Sequence, residues 1–94
     1  MRIRYTLRAD SFRRQIRSQS ESAFHELNGI IVQLSAMPEI DNETKFIYSG
    51  IARDVSVYRG EDWLIFYRID KDNSEDVLVV ISIWDVNNPP HTML

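Results

Sequence analysis

The longest stretch of regular patterning runs from Arg53 to Trp84, where three runs rich in β-branched and aromatic residues are separated by two short polar connections. That punctuation predicts an antiparallel meander. In the first run Val55 and Val57 alternate with Asp54, Ser56 and Tyr58, giving a strand with one apolar and one wetter face. Trp63 to Ile69 and Val77 to Trp84 are apolar at nearly every position, so both faces of these two strands are expected to be covered, as in the middle of a sheet. Arg59 to Asp62 reads as one hairpin connection and Asp70 to Asp76 as a longer, strongly polar one. Upstream, Arg2, Arg4 and Thr6 alternate with Ile3, Tyr5 and Leu7, the period of a strand with one buried side.

Asp10 or Ser11 can then open a helix by accepting orphan amide hydrogens, with Ala9, Phe12 and Ile16 on one face. The polar run Ser18 to Ser22 interrupts it, and Ser20 or Ser22 can cap a second helix. This second helix carries the clearest helical stripe, Ala23, Phe24, Leu27, Ile30, Ile31, Leu34 and Met37, and Pro38 stops it. Gly29 lies inside it, which suggests close packing at that point. Lys45 to Ser49 reads as a short strand and Gly50 as a turn. The expected fold is one α+β domain over residues 1–94: an N-terminal strand, a two-helix hairpin against one side of the sheet, then a three- to four-stranded antiparallel sheet, with 85–94 as an irregular tail.

Composition narrows the chemistry. The chain has no cysteine, which excludes disulfides, thiolate metal sites and a cysteine nucleophile. No run approaches the roughly 20 apolar residues that span a bilayer, so no membrane association is expected and the cytoplasm is the expected compartment. The net charge of −3 argues against a protein that coats nucleic acid by bulk electrostatics. Its distribution is uneven: Met1 to Arg17 holds six arginines and one acid, whereas Ser18 to Thr44 holds five acids and no lysine or arginine. The arginine-dense start fits an anionic partner, and it equally fits a solvated helix face.

Several features, taken in order, resemble a RelE/ParE-type toxin of a bacterial type II toxin–antitoxin pair. They are the opening strand running into a helix start (Tyr5, Leu7, Ala9), the second helix ending in Leu34 before Pro38, Arg53, the tight turn into an aromatic strand closing on Tyr67, Arg68 and Ile69, and the apolar strand Val77 to Ile83. The resemblance implies a toxin acting on mRNA at the ribosome or on DNA gyrase in a stress response, neutralised by an antitoxin protein that wraps it. An enzymatic member would be a metal-independent endoribonuclease, with no cofactor. Departures from the nuclease pattern are visible. Leu64 stands near an expected arginine, Asp54 and Ser56 stand where lysines are expected, and Asp85, Val86, Asn87 and Asn88 replace a basic stretch. The alternative is therefore a non-toxic α+β interaction domain, or a catalytically inactive relative of the fold.

Candidate residues follow from both readings. Arg53, Arg59 and Arg68 interleave with Tyr58, Trp63 and Tyr67; guanidinium forks and aromatic rings suit phosphates and bases, so Arg53, Tyr58, Arg59, Trp63 and Arg68 form a candidate nucleic-acid or target contact. Nearby Asp54, Asp70, Glu61 and Asp62 equally suit structural ion pairs. For cleavage, His91 is the candidate proton carrier and Arg59 the candidate phosphate stabiliser. The antitoxin is expected at Arg8, Arg13, Arg14 and Arg17. No metal site is expected, because Asp85 and His91 lack a third ligand at a telling distance.

Overall fold

In a computed structural model, which describes residues 1–36, 46–47 and 54–88, the opening alternation forms strand β1 (Arg2–Tyr5). Two helices follow, α1 (Leu7–Gln19) and α2 (Glu21–Ala36), then β2 (Phe46–Ile47), β3 (Asp54–Arg59), β4 (Trp63–Asp72) and β5 (Glu75–Asp85). The strands make one sheet in the order β1-β5-β4-β3-β2, so the two most apolar runs do lie inside it. Arg53, Pro38, the segment before Phe46 and the end of the chain including His91 lie outside the described residues.

The sheet is mixed where the sequence suggested antiparallel. The meander β3-β4-β5 is antiparallel, but β1 pairs with β5 in parallel, Arg2 opposite Val77 through Tyr5 opposite Val80. Parallel neighbours cannot be joined by a tight hairpin, and here everything from α1 to β4 lies between β1 and β5 in the chain.

The first helix begins earlier than expected. Thr6, not Asp10 or Ser11, is the N-cap, its hydroxyl accepting from the Ala9 amide at 3.2 Å. Thr6 has extended backbone angles, so it also continues β1: its amide donates to the Val80 carbonyl at 3.1 Å. Leu7, expected on a buried strand face, instead occupies the first helical position and is 89% exposed. Ser20 closes α1, its amide donating to the Ile16 carbonyl at 2.8 Å, and caps α2 by accepting from the Ala23 amide at 3.2 Å.

The helical hairpin covers one face of the sheet. Ala9, Leu27, Ile31 and Leu34 meet Trp63, Ile65, Tyr67, Leu78, Val80 and Ile83, all buried. On the opposite face Val55, Val57, Leu64 and Phe66 form a second cluster, with Ile81, Trp84 and Val86 packed against it. Side chains alternate between these faces along each strand until Ile81, which β5 inserts between the Phe66–Ser82 and Tyr67–Val80 pairs as a bulge. The Thr6 hydroxyl donates to the Ile81 carbonyl at 2.6 Å, so one side chain both caps α1 and satisfies the bulge.

Two local expectations are corrected. Asp70 to Asp76 is mostly strand, because Lys71 pairs with Asp76 across the ladder (2.9 Å) and only Asn73 and Ser74 make the turn. Both have positive φ, 52° and 68°, the backbone a two-residue hairpin of right-handed twist requires. Gly29 is not a point of close packing, since a Cβ there would meet nothing within 4 Å.

Candidate interaction surface

The arginines of α1 divide by helical position. Arg13 is turned inward, its side chain only 18% exposed, with its guanidinium 4.0 Å above the Tyr5 ring and 5.5 Å from that of Phe24. It donates to Asp10 at 3.1 Å and to the Asn28 side-chain Oδ1 from two nitrogens at 3.3 and 3.1 Å, tying β1, α1 and α2 together. Burial raises the Tyr5 phenol above its ordinary pKa, and the Arg13 charge opposes that rise. Arg14 is 80% exposed and pairs with the other oxygen of Asp10 at 2.7 Å. Arg17 lies 5.5 Å from the Phe24 ring, and Arg8 is exposed in the first turn. Thus Arg8, Arg14 and Arg17 remain on the surface, while Arg13 belongs to the scaffold.

The sheet candidates do not converge. Tyr58 packs against the helix-side cluster and Trp63 lies within it, 6% exposed. Arg59 is opposite Leu64 and Arg68 opposite Val79, which places both on the other face. Arg68 directs its Nε to both oxygens of Asp70, at 2.9 and 3.1 Å. Arg53 and His91, the remaining candidates, lie outside the described residues.

Comparison with known proteins fits this arrangement of a helical hairpin over a mixed sheet. The family model for the ParE toxin of the type II toxin–antitoxin system parDE matches residues 3–88. The chain belongs to the ParE toxin family. No curated protein sequence matches significantly. The solved structure of a YoeB/ParE toxin from Agrobacterium tumefaciens shares the fold at a TM-score of 0.67, with 17% identity over 90% of this chain and 98% of that one.

In this ParE-family chain the charged cluster that sequence reasoning missed lies on β1. Arg2 and Arg4 both reach Asp72 Oδ2, at 2.7 and 3.1 Å, and Arg2 also comes within 3.9 Å of Glu75. Because Arg2 faces Val77 and Arg4 faces Val79 on β5, while Asp72 stands on β4, these bonds strap the outer strand across its neighbour. The Arg2 hydrogen bond is the main reason that the Asp72 carboxyl is held below its ordinary pKa, with Arg4 adding to the effect against some desolvation. The alternation of Arg2 and Arg4 is visible in the sequence, but Asp72 falls in the polar stretch Asp70 to Asp76, whose composition reads as a loop.

At the opposite end of β4 and β5, an open cleft of about 310 Å³ is floored by Ile16, Ala23 and Trp63 and rimmed by Glu26, Asp62 and Asp85. No group of three or more His, Cys, Asp or Glu among the described residues is arranged to hold a metal ion. No described helix is long and apolar enough to cross a membrane.

Proposed function

We propose that this ParE-family chain is a toxin that arrests growth by binding a macromolecular target, and that an antitoxin neutralises it by covering the exposed arginines of α1. The observation that carries the binding mode is the sheet face opposite the helices. It is filled by Val55, Val57, Leu64 and Phe66, with Ile81 and Trp84 against them. RNA cleavage needs donors and cations aimed at the developing phosphate charge. The buried hydrocarbon at these positions cannot supply them, and of the two described arginines on this face Arg68 is held by Asp70 and Arg59 stands at the end of β3. Of the targets implied by the resemblance, DNA gyrase is therefore favoured over mRNA on the ribosome.

For the antitoxin, Arg14 and Arg17 give α1 an outward cationic side, and Arg8 is exposed in its first turn. The exposed Arg14–Asp10 pair is of the kind worth little to stability, so exchanging Asp10 for a partner carboxylate carries a small penalty. Induced expression in a bacterial host tests the whole reading. Growth arrest with double-strand DNA breaks, unchanged mRNA in primer extension, and rescue by co-expression of the neighbouring gene are expected. Cleavage of mRNA within ribosomal A-site codons would overturn the binding mode. Unimpaired growth would favour the inactive relative.

A further inference from the structure

Helix α1 exposes a continuous arc of its circumference. At about 100° per residue, Arg17, Arg14, Leu7, Ser11, Gln15 and Arg8 follow one another round the helix in that order. All of them are exposed, Leu7 at 89% and the Arg14 side chain at 80%. Asp10, the one acid of α1, falls between Arg17 and Arg14, but its side chain is 30% exposed and two guanidinium groups, those of Arg13 and Arg14, already hold it at 3.1 and 2.7 Å. The outward arc therefore carries an excess of positive charge. Its cations stand on two flanks: Arg8 on one, Arg14 and Arg17 on the other, about 120° and 180° round the helix from it. Between the flanks lie a hydroxyl, an amide and the exposed Leu7, for which the fold has no packing partner on that side.

We propose that α1 docks in the major groove of duplex DNA, Arg8 meeting the phosphate row on one side and Arg14 and Arg17 the row on the other, with Ser11, Gln15 and Leu7 over the base edges. The spread of the cations selects this partner. A helix with its side chains is about 10–12 Å across, and the major groove is about 12 Å wide with phosphates on both sides. An acidic peptide offers its carboxylates along one line and reaches one flank at a time. The major groove of duplex RNA is too deep and narrow for side chains to read. Hydroxyl and amide groups suit base edges, and an exposed aliphatic side chain suits a thymine methyl. This deepens the toxin reading, on which it rests for its consequence in the cell: the chain would bind its target where DNA is held, and an antitoxin over the α1 arginines would block that contact. Three phosphate contacts are few and the chain carries −3 overall, so binding to free DNA belongs at the weak end of the non-specific range, a Kd of about 10⁻⁴ M.

The test uses the full chain, labelled for amide NMR, and three probes of matched charge at low salt: a short DNA duplex, an RNA duplex of the same sequence and a polyglutamate peptide. DNA should shift the amides of Leu7, Ser11 and Gln15 at concentrations where the other two probes shift them less. With three phosphate contacts, raising the salt about fivefold should weaken DNA binding roughly 80-fold. Arg14→Gln or Arg17→Gln, each removing one contact, should reduce that factor to roughly 20-fold. Lys71→Gln removes an exposed cation that pairs with Asp76 away from α1, and should leave it unchanged. Equal shifts from polyglutamate would make the arc a general anion patch and overturn the proposal. Equal or stronger binding of RNA, shifts mapping to β1 or β5, a salt dependence unaffected by both arginine variants, or no response at millimolar duplex would overturn it as well. Growth arrest on induction of a chain that gives no DNA response would reject this contact and keep the toxin reading. A DNA response without growth arrest would do the reverse.

Discussion

Thr6 gives the sharpest test of how this fold is held, because one hydroxyl performs two tasks. It accepts from the Ala9 amide at 3.2 Å as the cap of α1, and donates to the bulged Ile81 carbonyl at 2.6 Å. Replacing Thr6 by alanine removes both. Loss of an N-cap costs about 1 kcal/mol. A partly buried carbonyl left without its donor costs about 1 kcal/mol more, the low end of the range because water has some access. The sum, about 2 kcal/mol, should lower Tm by roughly 8–16 °C in a domain of this size. Urea unfolding followed by circular dichroism gives the free energy directly, and an unchanged m-value would show that the unfolded state has not altered. Two further variants divide the total: Thr6→Ser keeps both bonds and should lose little. Thr6→Asp keeps the acceptor and loses the donor, so its deficit should come from the bulge. If Thr6→Ala unfolds within about 0.5 kcal/mol of the parent, or Thr6→Ser falls as far as Thr6→Ala, the shared-hydroxyl account is wrong.

Three other outcomes are expected. Gly29→Ala should raise stability by about 1 kcal/mol in the same urea experiment, since the new methyl meets only open space and alanine favours the helix. Arg13→Ala should destabilise far more than Arg14→Ala, because Arg13 loses contacts to Tyr5, Asp10 and Asn28, whereas Arg14 loses one exposed ion pair; equal losses in thermal unfolding would contradict the division of α1. Asp72 has a folded-state pKa below its ordinary 3.8, so the unfolded chain binds more protons there and the Arg2–Asp72–Arg4 strap contributes fully above that value. Its contribution is lost as pH falls through the folded pKa, and Asp72→Asn should flatten the dependence of stability on pH below about 4.

The fold was legible where hydrophobic periodicity was unbroken. The stripe of α2, the central position of β4 and β5, and a serine cap at Ser20 or Ser22, which the structure places at Ser20, could all be read from residue type and spacing. The errors arose where tertiary partners overrode local signals. Nothing near Thr6 indicates that β5 will bulge at Ile81 and present a carbonyl to it, so Asp10 and Ser11 look like equally good caps. Asp70 to Asp76 looks like a loop by composition, yet Lys71 and Asp76 compensate each other across a ladder that the sequence alone does not reveal. The candidate site was less legible for a related reason. Tyr58, Arg59, Trp63 and Arg68 are close in sequence, but the period of a strand sends Tyr58 and Trp63 to one face and Arg59 and Arg68 to the other.

The same geometry explains why a run of arginines in the first seventeen residues does not behave as one charged patch. A strand separates neighbours every second residue and a helix every three or four, so a sequence block of like charge is distributed over different surfaces. Arg2 and Arg4 fall to the outer side of β1 and are strapped to Asp72. Arg13 falls to the inner side of α1 and braces the hairpin, while Arg14, one residue later and about 100° further round the helix, faces water. Charge reversal at Arg14 should therefore weaken capture of an acidic partner while leaving the fold intact, whereas reversal at Arg13 should set a carboxylate against Asp10 and loosen the hairpin first. A binding surface inferred from this chain's charge density alone would count all six arginines; one inferred from the folded periods assigns Arg13 to the scaffold.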